Sequence, residues 1–212
     1  GNYTCDAPMA LNVVVDGNFT AQNDCTVSGN VTAFGTANID GTVRGNLTAS
    51  GDVVVDGTVR GSVSTQGTVD VYGTVNGNAT AGGRGRSYVY GVVGGDMAAA
   101  GPVTVYYGDR VEGKLTSAST DHSYIYGAVG GEAKTQGTIT VYYNGSIGGD
   151  TIAAGTAVSY LYGRIAGDFA AGGDIYFADN ASVTGNVTVA GRNLTTIYGT
   201  IGGDLVTAGA VT

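Results

Sequence analysis

Val93-Gly94-Gly95-Asp96 returns along the chain as Val129-Gly130-Gly131-Glu132, Ile147-Gly148-Gly149-Asp150, Ile165-Ala166-Gly167-Asp168 and Ile201-Gly202-Gly203-Asp204. Its second glycine sets a metre. That glycine falls at Gly95, Gly113, Gly131, Gly149, Gly167, Gly185 and Gly203, in steps of 18 residues, and earlier at Gly29, Gly45, Gly61 and Gly77, in steps of 16. Gly17 precedes Gly29 by only 12, so the first turn reads as irregular. A fixed period in this range marks a repeat architecture.

The register around the marker supplies the physics. Two residues before it stands Val15, Val27, Val43, Val59, Val75, Val93, Val111, Val129, Ile147, Ile165, Val183 or Ile201. Two after it come mostly apolar residues such as Phe19, Val31, Leu47, Val63, Met97, Leu115, Phe169, Val187 and Leu205. The residue directly after it is polar: Asn18, Asn30, Asn46, Asn78, Asp96, Lys114, Glu132, Asp150, Asp168, Asn186 and Asp204. Alternation with period two means one dry face and one wet face, hence strands. Glycine at fixed offsets suits corners that need positive φ or close backbone approach.

One strand per repeat cannot bury itself; stacking repeats as coils buries each inward stripe between the coils above and below. The expectation is an all-β chain forming a single β-solenoid of about twelve coils, with 16-residue and then 18-residue repeats. Residues 1–16 read as an irregular N-terminal segment and 17–212 as the solenoid. Composition agrees, with 39 Gly, two Pro, no Trp and 42% hydrophobic residues in 212, and no collagen-like three-residue period.

A net charge of −8 with nine Lys plus Arg argues against a nucleic-acid partner. No apolar run is long enough for a transmembrane helix. A start at Gly1 reads as a mature, exported chain whose signal was removed, the alternative being a trimmed piece. Nine Asn-x-Ser/Thr sequons begin at Asn2, Asn18, Asn30, Asn46, Asn78, Asn144, Asn180, Asn186 and Asn193. They point to covalent glycans at the cell surface. The competing reading is that Asn and Thr simply share the outer face. Asn18, Asn30, Asn46, Asn78 and Asn186 fall in one outward register and would line one edge. Cys5 and Cys25 suggest a disulfide in an exported chain, within one molecule or between two, against two buried free thiols.

Catalysis and cofactors find no footing. The single His122 sits beside Asp121, and adjacency in sequence is no dyad. No nucleophile elbow or phosphate loop occurs. The acids Asp96, Glu132, Asp150, Asp168 and Asp204 read as a solvated ladder rather than a metal site. Tyrosine is the richer signal. Tyr88, Tyr106, Tyr124, Tyr142 and Tyr160 recur at 18, while Tyr90, Tyr126, Tyr162 and Tyr198 recur at 36, making the unit a pair of unlike coils. Parity places both sets outside, as an aromatic stripe for another molecule or for carbohydrate. A parity flip at a corner would turn them inside.

The cadence Gly-Thr-Val-Arg-Gly-Asn-Leu-Thr-Ala-Ser-Gly-Asp-Val-Val-Val-Asp-Gly-Thr-Val-Arg-Gly-Ser-Val, residues 41–63, resembles the bactofilin-type polymer-forming β-solenoid, with a looser match onward to the C-terminus. That resemblance implies self-assembly. Bactofilins are cytoplasmic, and the sequons and cysteines depart from them. An exported solenoid of this kind is similar instead to subunits of archaeal surface filaments and, more closely, to the tubular cell-sheath proteins of methanogens. This second likeness implies amyloid-like assembly through stacked strands.

The sequence therefore reads as a non-enzymatic structural homopolymer of the cell surface. A binding module, an adhesin or ice-binding solenoid, is the alternative. Self-assembly is expected through bare end coils, with Val13, Val14 and Val15 at one end and Leu205, Val206 and Val211 at the other.

Overall fold

In a computed structural model describing residues 1–212, the chain winds as a β-solenoid of about twelve coils with three parallel sheets and no helix. Face 1 has 12 strands, from Val13–Val15 to Leu205–Thr207. Face 2 has 13, from Tyr3–Cys5 to Ala210–Val211, and face 3 has 11, from Thr26–Val27 to Thr200–Ile201. A complete coil runs from face 1 through face 2 to face 3, as in Val31–Ala33, Ala37–Ile39 and Thr42–Val43. The strands are short because each inward stripe needs only two apolar positions before the chain must turn.

Within the strands, alternate residues point inward. Val53 and Val55 are buried, as are Val69 and Val71 directly above them. The inward residues of all three faces merge into one core of 48 buried residues running along the axis. Each buried Val, Leu or Ile contributes about 1.5–3 kcal/mol relative to exposure. Phe19, Phe169 and Phe177 are the core's largest fully buried side chains.

The solenoid begins earlier than the sequence metre suggests. Tyr3–Cys5 already pairs with Phe19–Ala21 on face 2, and Val13–Val15 with Val31–Ala33 on face 1. Residues 1–16 are therefore part of the stack. Gly17 does not belong to the marker series, because Phe19 after it lies on face 2 whereas Val31 after Gly29 lies on face 1. Val15 aligns with Ala33 rather than with Val27. The 12-residue step measured the distance between two different corners.

Glycine serves the corners by closeness. Gly108 alone has positive φ, at 87°. At Gly61, a Cβ would strike the Asn46 side chain and the Gly45 carbonyl of the preceding coil. Stacked corners approach too tightly for any side chain there.

The 18-residue metre conceals an alternation. On face 2 the register steps 16, from Ser87 to Val103, then 20, from Thr104 to Tyr124, then 16 again, from Ser123 to Ile139. Coils with a long connection from face 1 to face 2, such as Ser117 to Ser123, have a short one onward to face 3, Ile125 to Ala128. Their neighbours reverse this, with Ala99 to Val103 short and Val105 to Arg110 long. The long connections to face 3 are turns closed by Asp109 N to Tyr106 O at 3.2 Å, Gly145 N to Tyr142 O at 2.7 Å and Ala181 N to Ala178 O at 2.9 Å.

Candidate functional site

The polar residue after each marker glycine is a structural cap. Asn30 Oδ1 accepts the backbone N–H of Asn46 at 2.8 Å, and Asn46 Oδ1 that of Ser62 at 2.8 Å. The series continues from Ser62 to Asn78, Asn78 to Asp96 and Asp96 to Lys114, and resumes as Asp150 to Asp168, Asp168 to Asn186 and Asn186 to Asp204. The acids read as a solvated ladder thus include residues that hold successive coils together. The series breaks at Lys114 and Glu132, whose side chains meet each other at 3.4 Å instead. Asn18 stands on a different corner, before face 2, where it accepts from Thr36 and Asn2 accepts from Asn18. Asn18, Asn30, Asn46, Asn78 and Asn186, expected to share one edge, therefore stand on two.

Asn144 and Asn180 lie elsewhere, exposed in the turns Tyr142–Gly145 and Ala178–Ala181. Asn193 donates from Nδ2 to Asp174 Oδ2 at 3.0 Å. Cys5 and Cys25 are joined to each other, tying the first strand of face 2 to the turn after the next one.

All fourteen tyrosines keep outside the core. They do not form the ladder that an 18-residue spacing suggests, because the alternating connections divide the series. Tyr88, Tyr124 and Tyr160 are mid-strand on face 2, separated by Thr104 and Thr140, with Tyr176 next to Tyr160. Tyr106 and Tyr142 join Tyr72, Tyr90, Tyr126 and Tyr162 in a second column at the strand ends. In this column Tyr90 and Tyr106 stack at 3.9 Å, and Tyr126 and Tyr142 at 3.9 Å. The rings present their faces to one another along the axis. That leaves fewer faces for a sugar to lie on, and weakens the carbohydrate-stripe reading. The Tyr106 phenol pushes that of Tyr90 up to about 12, and Tyr126 raises Tyr142 in the same way.

Just before the face 2 strands, beside the mid-strand tyrosines, lies a polar cluster that the sequence pattern did not single out. Arg86 reaches across coils to Thr104 Oγ1 at 3.1 Å and to the His122 carbonyl at 2.8 Å, and its guanidinium lies 5.0 Å from the Tyr124 ring centre. His122 is held between Thr138 and Thr140, with Nε2 2.6 Å from Thr140 Oγ1. Burial first, and then the Arg86 charge, lower its pKa from the ordinary histidine value. The cluster holds successive coils together. Ser87, Ser123 and Ser159 were also missed, although Ser-Tyr recurs every 36 residues. In these coils the ladder starts one residue late. Each buried Oγ accepts the N–H left over, from Val69 at 3.1 Å, Val103 at 3.2 Å and Ile139 at 3.3 Å.

The coil ends expose strand edges. Val13 and Val15 face the core, whereas Val14 points outward in line with Thr32. Val14 thus belongs to the edge strand, with its side chain on the side surface of the rod. Val206 likewise points outward beside Thr188, while Leu205 faces inward next to Val187 and is 36% exposed. The outward column of face 1 holds Thr32, Thr48, Ser64 and Thr80 but then Ala98, Thr116, Lys134, Ile152 and Ala170. No regular threonine array for ice results.

Residues 19–100 match the sequence model of a family described as Bactofilin: Polymer-forming cytoskeletal. The cadence at residues 41–63 lies inside that segment. No curated protein and no solved structure matches the chain.

Proposed function

We propose that this chain, whose residues 19–100 carry the bactofilin-type polymer-forming repeat, is an exported structural subunit that polymerises by stacking coil on coil. One observation carries the reading. Each coil joins the next by parallel pairing in a register that the cap ladder repeats, and the edge strands Val13–Val15 and Leu205–Thr207 offer that same pairing unfilled. A partner coil seated on Leu205–Thr207 would bury Leu205 and continue the roughly 4.8 Å ladder. Such a head-to-tail contact does not close on itself and propagates. The Cys5–Cys25 bond supports an oxidising compartment, and the sequons in exposed turns support covalent glycans. Placement in a cell sheath or surface filament follows from that compartment together with polymer formation.

Charge at the inward edge tests the contact. Leu205→Lys places an ammonium where the next coil would seat its apolar stripe, and is expected to abolish filaments seen by electron microscopy while circular dichroism stays all-β. If the folded variant assembles as wild type does, coil-on-coil assembly through this edge is wrong.

A further inference from the structure

We infer that Asn144 and Asn180 are the glycan-bearing asparagines of the folded solenoid, and that the ladder asparagines are not. The inference rests on the exported-polymer reading above. Nine sequons look alike in sequence, yet the fold separates them by what the carboxamide is doing. Asn2, Asn18, Asn30, Asn46, Asn78 and Asn186 each accept a backbone N–H of the next coil through Oδ1, which fixes the carboxamide against the corner. Asn193 has its Nδ2 engaged by Asp174. The side chains of Asn144 and Asn180 make no hydrogen bond, and both residues are exposed at the third position of a four-residue turn.

Spacing adds an independent argument. Asn30 and Asn46 sit on adjacent coils, where sugars would be held about 4.8 Å apart, well under the roughly 10 Å that separates packed layers. Asn144 and Asn180 are 36 residues and two coils apart, which gives each about 10 Å along the axis. The same turn one period earlier carries Gly108 in place of Asn, so the decorated turns belong to the second half only. The acceptor chemistry is ordinary amide glycosylation. Nδ2 forms a bond to the anomeric carbon of a glycosyl phosphate or diphosphate donor and loses one proton. The donor's anomeric C–O bond breaks, and the phosphate leaves with the electron pair.

Glycopeptide mass spectrometry of the protein from its native source tests this, with peptide-N-glycosidase release in heavy-oxygen water to mark each formerly occupied Asn as Asp. The expected result is occupancy at Asn144 and Asn180 at least tenfold above that at Asn30, Asn46, Asn78 and Asn186. Sugar on the ladder residues with Asn144 and Asn180 bare would overturn the assignment while leaving the exported glycoprotein reading standing. An intact mass equal to the bare 21.1 kDa chain would overturn both. In a producing host that glycosylates the protein, the Asn144→Gln/Asn180→Gln pair should remove the added mass, whereas Asn78→Gln should keep it.

Discussion

Asn46 Oδ1 receives the N–H of Ser62 at 2.8 Å, and Gly61 is glycine because that same oxygen occupies the space a Cβ would need. The Gly-Asx pair is thus one device spread over two coils: the glycine makes room for the cap from the coil before, and the Asx supplies the cap for the coil after. Asn46→Leu should cost about 0.5–1.5 kcal/mol, because it removes an inter-coil hydrogen bond and leaves the Ser62 N–H to solvent. Asn46→Asp should hold within roughly 0.5 kcal/mol, since Asp96, Asp150 and Asp168 already fill the role. Denaturant midpoints of the two variants check this, and equal losses would contradict it.

Two buried hydroxyls predict opposite outcomes. Ser123 Oγ satisfies the Val103 N–H, so Ser123→Ala should destabilise by about 1–3 kcal/mol. Thr151 faces the core between Ala133 and Phe169, and its Oγ1 has no partner. Thr151→Val keeps the shape and removes the idle hydroxyl, and should raise the thermal midpoint. A lowered midpoint for Thr151→Val would contradict the assignment.

Reduction of Cys5–Cys25, separated by 20 residues, should cost about 3 kcal/mol. The loss should appear first as faster amide exchange in Tyr3–Cys5 and Phe19–Ala21, the strands nearest the bond, before any change in the later coils. Exchange that accelerates uniformly along the rod would contradict this.

His122 makes stability pH-dependent with a definite sign. Its native pKa is lowered, by burial and then by Arg86, so the unfolded chain binds the proton more readily. The contribution is complete above the unfolded value of about 6.5 and declines as pH falls below it. Asp70 and Asp109, raised by burial, act in the other direction and lose stability as pH rises through their values. The difference in midpoint between wild type and His122→Gln should therefore shift between pH 7.5 and pH 5, with wild type losing more on acidification. A constant difference would remove His122 as the cause.

The solenoid and its count of coils are legible from Val93-Gly94-Gly95-Asp96 alone, because Val or Ile two before each marker glycine gives the inward stripe directly. What the metre hid was phase. Two connections of each coil change length by compensating amounts, so markers on face 3 keep an interval of 18 while Tyr88 and Tyr106 pass into different columns. A period reports the sum of the connections and not their division. The role of Asn30 or Asp168 escaped for a different reason. A polar residue in an outward register looks solvated, and only the stacking of a second coil reveals that its oxygen is already in use. The cluster of Arg86 and His122, 36 residues apart, likewise becomes visible only once coils are superposed.

The stacked tyrosines carry an optical consequence. The protein has fourteen Tyr and no Trp, so its emission above 300 nm belongs to phenols. From Tyr72 to Tyr162 neighbouring ring centres stand 3.9–6.1 Å apart, close enough for one ring's excited state to overlap the next. An excitation created in this column should migrate and settle on the tightest dimers, Tyr90 with Tyr106 or Tyr126 with Tyr142. Emission from the column then reports chiefly on two pairs per subunit, and end-to-end joining of rods would lengthen the antenna by two such pairs for each subunit added.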